Sequence, residues 1–137
     1  MHRGYLDFYE CTRPDEVTAV VWRWLLDPDH ELECLVVSPS PGAPPVGLAH
    51  HRPFVRPLHG SLACFLDDLY VAESARGTGA VDALLAGLQA RCRERGWAPV
   101  RWVTSASNAR ARAVYDRLAT QTELVTYDLV VDGEAPG

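Results

Sequence analysis

Apolar and polar residues alternate along this chain in two periods, and the places where one gives way to the other outline the fold. Val17, Val20, Val21, Trp24 and Leu25 recur at helical spacing, and Asp27-Pro28 stops the run. Ahead of them, Thr12 with Asp15 three residues later reads as a capping box, and Pro14 suits a first turn. Residues 4–10 (GYLDFYE) fit either strand or helix. Strands are then expected at Glu31–Val37 and Val46–Arg52, joined through the proline-rich stretch 38–45 (SPSPGAPP), which can be neither helix nor central strand. A second break at Pro53–Gly60 leads into a strand over Ser61–Val71. The clearest helix runs from Gly77 to Arg95, with Val81, Leu84, Leu85, Leu88 and Cys92 as its apolar stripe and Gly96 as its terminator. A strand at Pro99–Thr104, a helix from Ser107 or Asn108 to Leu118, and a final strand at Glu123–Val131 complete the order. Helices interleaved with strands in this way predict an α+β domain around a mixed sheet.

Composition narrows the functions such a domain can have. At 137 residues the chain is read as a single domain, 1–137, with residues 1–30 as its N-terminal helical part. Its net charge of -5 disfavours a nucleic-acid partner and favours cationic substrates. Arg91, Arg93 and Arg95 cluster, but Glu94 interrupts them, as on a solvated helix end. All 13 basic residues are arginine, so no lysine is present to serve a phosphate loop or a Schiff base. Cys11, Cys34, Cys64 and Cys92 lack the paired spacing of a metal site or a disulfide framework. His50-His51 point apart on a strand and have no third ligand spaced with them, so no metal is expected. With no leader and no apolar run able to span a bilayer, a cytoplasmic protein with no membrane partner is expected.

The strongest local signal is Arg76-Gly77-Thr78-Gly79, set between a strand and a helix. Glycines there let main chain approach a ligand, and the helix start adds N–H donors and a positive dipole end, a seat for phosphate or pyrophosphate. A nucleotide-hydrolase loop would need lysine, and a dinucleotide fingerprint would need glycine where Asp82 stands. An acyl-CoA pattern remains, beside the plainer alternative of a tight turn that binds nothing.

The wider context resembles one family. The stretch 66–79 (LDDLYVAESARGTG), with Ala83-Leu84-Leu85 after it, resembles the central motif of the GCN5-related N-acetyltransferases (GNAT family). Asn108-x-x-Ala111-x-x-Val114-Tyr115, after the next strand, resembles that family's second signature. Phe8-Tyr9 before Pro14, and Leu66-Asp67-Asp68, are similar to its histone and polyamine acetyltransferase branch. The resemblance implies a central, mostly antiparallel mixed sheet flanked by helices, here without the family's first strand, and a homodimer. It also implies acetyl-CoA as co-substrate, a primary amine on a small molecule or protein as acceptor, and direct transfer. A CoA-binding module without catalysis is the rival reading.

Residue roles follow from the same resemblance. Main chain at Leu69, Tyr70 and Val71 would hold pantetheine, and Arg76, Gly77, Thr78, Gly79, Ala80 and Val81 would hold the pyrophosphate. Asn108 would either hold cofactor through its amide or cap its helix. Tyr115 would protonate the departing thiolate, or only pack its helix against the sheet. Asp67 is the expected base, with Asp68 and Tyr9 on the acceptor side. Adjacent strand residues face opposite sides, so only one of the two aspartates is expected in the cleft unless the strand is bulged.

Overall fold

In the computed structural model, residues 15–133 are described. The chain divides into two units, Met1–Val103 and Thr104–Gly137. Tyr5, Phe8, Tyr9, Cys11, Thr12 and Pro14 lie outside the described residues, and so does the acceptor role expected of Tyr9.

Among the described residues, the first unit is built on a sheet of four strands in sequence order. These are β1 (Glu33–Val37), β2 (Gly47–Arg56), β3 (Ser61–Val71) and β4 (Val100–Arg101). The first three are antiparallel neighbours, whereas β4 runs parallel to β3. A parallel neighbour needs a crossover, and helix α2 (Ala80–Arg95) supplies it. Helix α1 (Asp15–Leu26) precedes the sheet. Its expected stripe is half-buried at Val17, Val20, Val21 and Leu25, while Trp24 is exposed and stacks on His30 at 5.1 Å.

The core lies where α2 meets one face of the sheet. Ala80, Leu84, Leu88 and Cys92 recur every four residues, and all four are buried. They pack with Ala49, Cys64, Leu66 and Val71 from β2 and β3. Leu88 is fully buried, so truncating it to alanine would cost about 3 kcal/mol in transfer and cavity terms. At the far end Gly96 takes φ +72°, and its N–H and that of Trp97 close on Arg93 O and Cys92 O, ending the helix where the sequence placed its terminator. Glu33 ties the open end of β1 to α2 through Arg91 at 2.6 Å and through Arg95.

Two strand expectations change. Strand β2 continues through Pro53, because β1 reaches only as far as His51 and β2 is an edge from there on, where a proline is tolerated. The expected strand Glu123–Val131 joins no ladder among the described residues. Its alternation supplies a suitable face, but a strand exists only by pairing, and Leu124, Val125, Tyr127 and Leu129 stay exposed. The described residues of the second unit instead form helix α3 (Ala109–Leu118) and irregular chain. Arg112 braces it, donating to Ala106 O at 2.7 Å and to Gln121 Oε1 at 3.1 Å.

Candidate functional site

Two features of β3 make the site: the edge it leaves open, and a bulge near its middle. Strand β4 accompanies β3 only at Cys64 and Phe65. From Leu66 to Val71 no described strand pairs with that edge. Which residues present their main chain there follows from alternation. Ala72 N–H turns toward β2, where it meets Val46 O at 2.7 Å, so Val71 and Leu69 present theirs to the open side. Their side chains belong to the core cluster around α2, so burial and an exposed main-chain role coincide at the same residues.

The turn after β3 begins with a short 3-10 segment, Glu73–Ala75. Thr78 closes onto Ala75 O with both its N–H and its hydroxyl. Gly77 and Gly79 then take φ +78° and +86°, left-handed values that side chains rarely adopt. A Cβ at either position would meet nothing within 4 Å, so space is open above both. Helix α2 starts directly after them without a side-chain cap. Its first ladder bond runs from Ala83 N–H to Gly79 O, so the N–H groups of Ala80 and Val81 precede the ladder at the positive end of the dipole. Bare donors, a dipole end and clear space fit a diphosphate. Val81 is partly buried and packs against the core cluster.

The bulge alters the expectation for the two aspartates. His50 pairs with Asp68 but His51 pairs with Leu66, which leaves Asp67 as an extra residue on β3. His50 and Arg52, two apart on β2, share a face. Asp68 Oδ2 lies 3.1 Å from His50 Nδ1, and Asp67 takes the Arg52 Nε–H on both oxygens at 3.1 Å. Both carboxylates therefore stand on the face away from α2, where a regular strand would have sent them to opposite sides.

Electrostatics separates the two. Burial raises the Asp67 carboxyl against the pull of Arg52. His50 is buried, which works against its charge, but hydrogen bonds to Asp68 and Cys34 outweigh that and raise it to about 9. Cys34, His50 and Asp68 stand side by side across β1, β2 and β3. His51 faces the other way, buried near Ala49 O, and burial lowers its pKa. The sequence drew attention to His50 only as a metal ligand, and its link to Asp68 needed the register of two strands.

In the second unit, Asn108 caps α3 by accepting from Ala111 N–H at 3.3 Å, so its side-chain oxygen is engaged in the cap. Tyr115 lies in the penultimate turn of α3, and burial raises its pKa.

Comparison with known proteins agrees with this geometry. The profile of the Acetyltransferase (GNAT) family matches residues 1–119. A D-amino-acid N-acetyltransferase of Saccharomyces cerevisiae is 29% identical over 125 residues, covering 91% of this chain and 78% of the relative. Among solved structures, a probable acetyltransferase superposes with a TM-score of 0.80 at 25% identity, over 95% of this chain and 87% of that one. An aminoglycoside N-acetyltransferase solved in complex with CoA superposes with a TM-score of 0.77 at 22% identity, over 94% and 86%. Among the described residues no helix is long and apolar enough to cross a membrane. With the family profile matched from residue 1 through α3, and the open strand edge and glycine turn between, this chain belongs to the GNAT family and is an acetyltransferase.

Proposed function

We propose that this enzyme moves the acetyl group of acetyl-CoA to a primary amine of a small molecule or a protein, by direct transfer in a ternary complex. The observation that carries the reading is the open β3 edge leading into the uncapped start of α2. Acetyl-CoA supplies the thioester whose acyl carbon the amine attacks. Main-chain groups of Leu69 and Val71 hold the pantetheine arm as an added strand would, with Tyr70 between them, and a donor there polarises the thioester carbonyl. Arg76, Gly77, Thr78, Gly79, Ala80 and Val81 hold the diphosphate, chiefly through N–H groups.

Tyr115 protonates the departing thiolate. The family resemblance assigns it that task, and the phenol, whose pKa burial raises from an already high ordinary value, carries a proton to give at neutral pH. An aspartate of the bulge, Asp67 or Asp68, relieves the incoming ammonium of its proton. The net charge of -5 favours a cationic acceptor, and the yeast relative, by its name, acts on D-amino acids, so these come first among acceptors to try.

The test has two stages. Calorimetry should show CoA and acetyl-CoA binding to the folded protein. Acetyl-CoA with D-amino acids, polyamines or aminoglycosides should then release free thiol, with intersecting double-reciprocal lines. Absence of binding by both CoA and acetyl-CoA overturns the reading, and parallel lines overturn direct transfer.

A further inference from the structure

A base that strips an alkylammonium has to compete with a group of pKa near 10, and an ordinary carboxylate near 4 does so poorly. The bulge in β3 addresses that mismatch. It brings Asp68 onto the same face as His50, with Oδ2 and Nδ1 3.1 Å apart. The Asp68 side chain remains 29% exposed while that of His50 is 3% exposed. One member of the pair can therefore meet an acceptor and the other cannot. Asp68 also immediately precedes Leu69, whose main chain faces the open edge. The Asp67 side chain is about as exposed, at 26%, but both its oxygens take the Nε–H of Arg52, a cation that cannot give up its charge.

We propose that Asp68 is the catalytic base of the acetyl transfer and that His50 is its positioning partner, the two sharing the proton removed from the acceptor. The inference rests on the acetyl-CoA reading given above. In the step, an N–H bond of the ammonium breaks and its proton goes to an Asp68 carboxylate oxygen, from which it is shared with His50 Nδ1. The freed amine lone pair attacks the thioester carbon. After product leaves, the proton returns to water through the exposed side of Asp68, and no oxidant or further reactant is needed. Among the described groups around His50 are Cys34 on β1 and Asp68 on β3, both of which raise its pKa. Together they hold the imidazole near 9, close to the pKa of the proton to be taken. The pair is thus empty of its proton only toward alkaline pH, and turnover should climb as pH approaches 9.

The proposal is tested by kinetics and by an NMR titration of the histidine rings in the wild-type protein. His50 should titrate near 9 in wild type and fall to the ordinary histidine range or below in Asp68→Asn. With an acceptor that turns over, Asp68→Asn should lower kcat by about 100-fold and leave KM for acetyl-CoA unchanged. His50→Gln should lower kcat by about 10-fold and displace the alkaline limb of the rate profile. Should His50→Gln fail to fold, Asp68→Asn and the wild-type titration decide. Thiol release by wild type that neither substitution slows or shifts in pH overturns the dyad and leaves the transfer reading standing. Wild-type protein that releases no thiol overturns both.

Discussion

Breaking the His50–Asp68 contact should destabilise the protein at pH 6 and barely do so at pH 10. The perturbation is Asp68→Asn, which keeps the shape of the side chain and removes its charge. With Asp68 in place, His50 binds its proton with a pKa of about 9, against an ordinary value of 6.5. A folded-state pKa above the unfolded value gives stability that is complete below 6.5 and lost as pH rises through about 9. At about 1.4 kcal/mol per pH unit, that interval corresponds to roughly 3–4 kcal/mol, to which Asp68 and Cys34 both contribute, so removing Asp68 alone should cost at most about 3 kcal/mol. Solvent screening takes little from this figure, because the His50 side chain is 3% exposed and that of Asp68 29%. Without the carboxylate, burial opposes the charge and only Cys34 still supports it, so the folded-state pKa of His50 falls. Urea unfolding of wild type and Asp68→Asn at pH 6 and pH 10 measures the effect, and the difference of differences cancels every other titrating group. The midpoint gap at pH 6 should be about 1–3 M urea, from a slope of about 1–3 kcal/mol per molar, and should close toward pH 10. An equal gap at both pH values would show that His50 is uncharged in the folded protein, which would refute the ion pair.

Three further outcomes follow from the same geometry. Gly79→Ala places a side chain at φ +86° with nothing for its Cβ to strike, so it should cost only about 1 kcal/mol of stability while weakening CoA binding about tenfold or more, read by calorimetry. Tyr115→Phe should lower kcat by about 100-fold with KM for acetyl-CoA unchanged, and an unaltered rate in steady-state assays would remove the phenol from the chemistry. Burial pushes the Cys64 thiol up to about 12, with Cys92 buried beside it, so in native protein iodoacetamide should modify half-buried Cys34 and leave both of these intact by mass spectrometry.

What the sequence disclosed about the fold was what depends on neighbours along the chain. The stripe Leu84, Leu88, Cys92 and the terminator Gly96 lie within one helix, so their period alone locates α2. Strand β3 was readable over Ser61–Val71 because its apolar run is bounded by Gly60 and by the turn after Val71. The expectation at Glu123–Val131 failed for the complementary reason. Alternation records which face a strand would bury, but the ladder that makes it a strand depends on residues distant in sequence, and no described strand pairs with 123–131. Pro53 misled in the opposite sense. It forbids a central strand, and the sequence could not say that β1 withdraws at His51 and leaves β2 as an edge beyond it.

The site divides along the same line. Its glycine turn was legible because left-handed backbone and a helix start are local needs, met by Gly77, Gly79 and the residues just after them. The aspartates were not. Two adjacent carboxylates on a regular strand would be split between the core face and the open face, and a charge on the core side would have to be buried against α2. One extra residue in β3 avoids that outcome by turning both outward, and β2 supplies a partner for each, Arg52 for Asp67 and His50 for Asp68. The two partners differ in what they leave possible. Arginine holds its charge at every working pH, so the carboxylate it grips is tied to a fixed cation. Histidine can give its charge up, so the carboxylate it grips can change its proton content as the reaction demands. A register shift of one residue thus decides which aspartate meets a histidine and which an arginine, the distinction on which the proposed base rests, and nothing in the dipeptide Asp67-Asp68 itself carries that information.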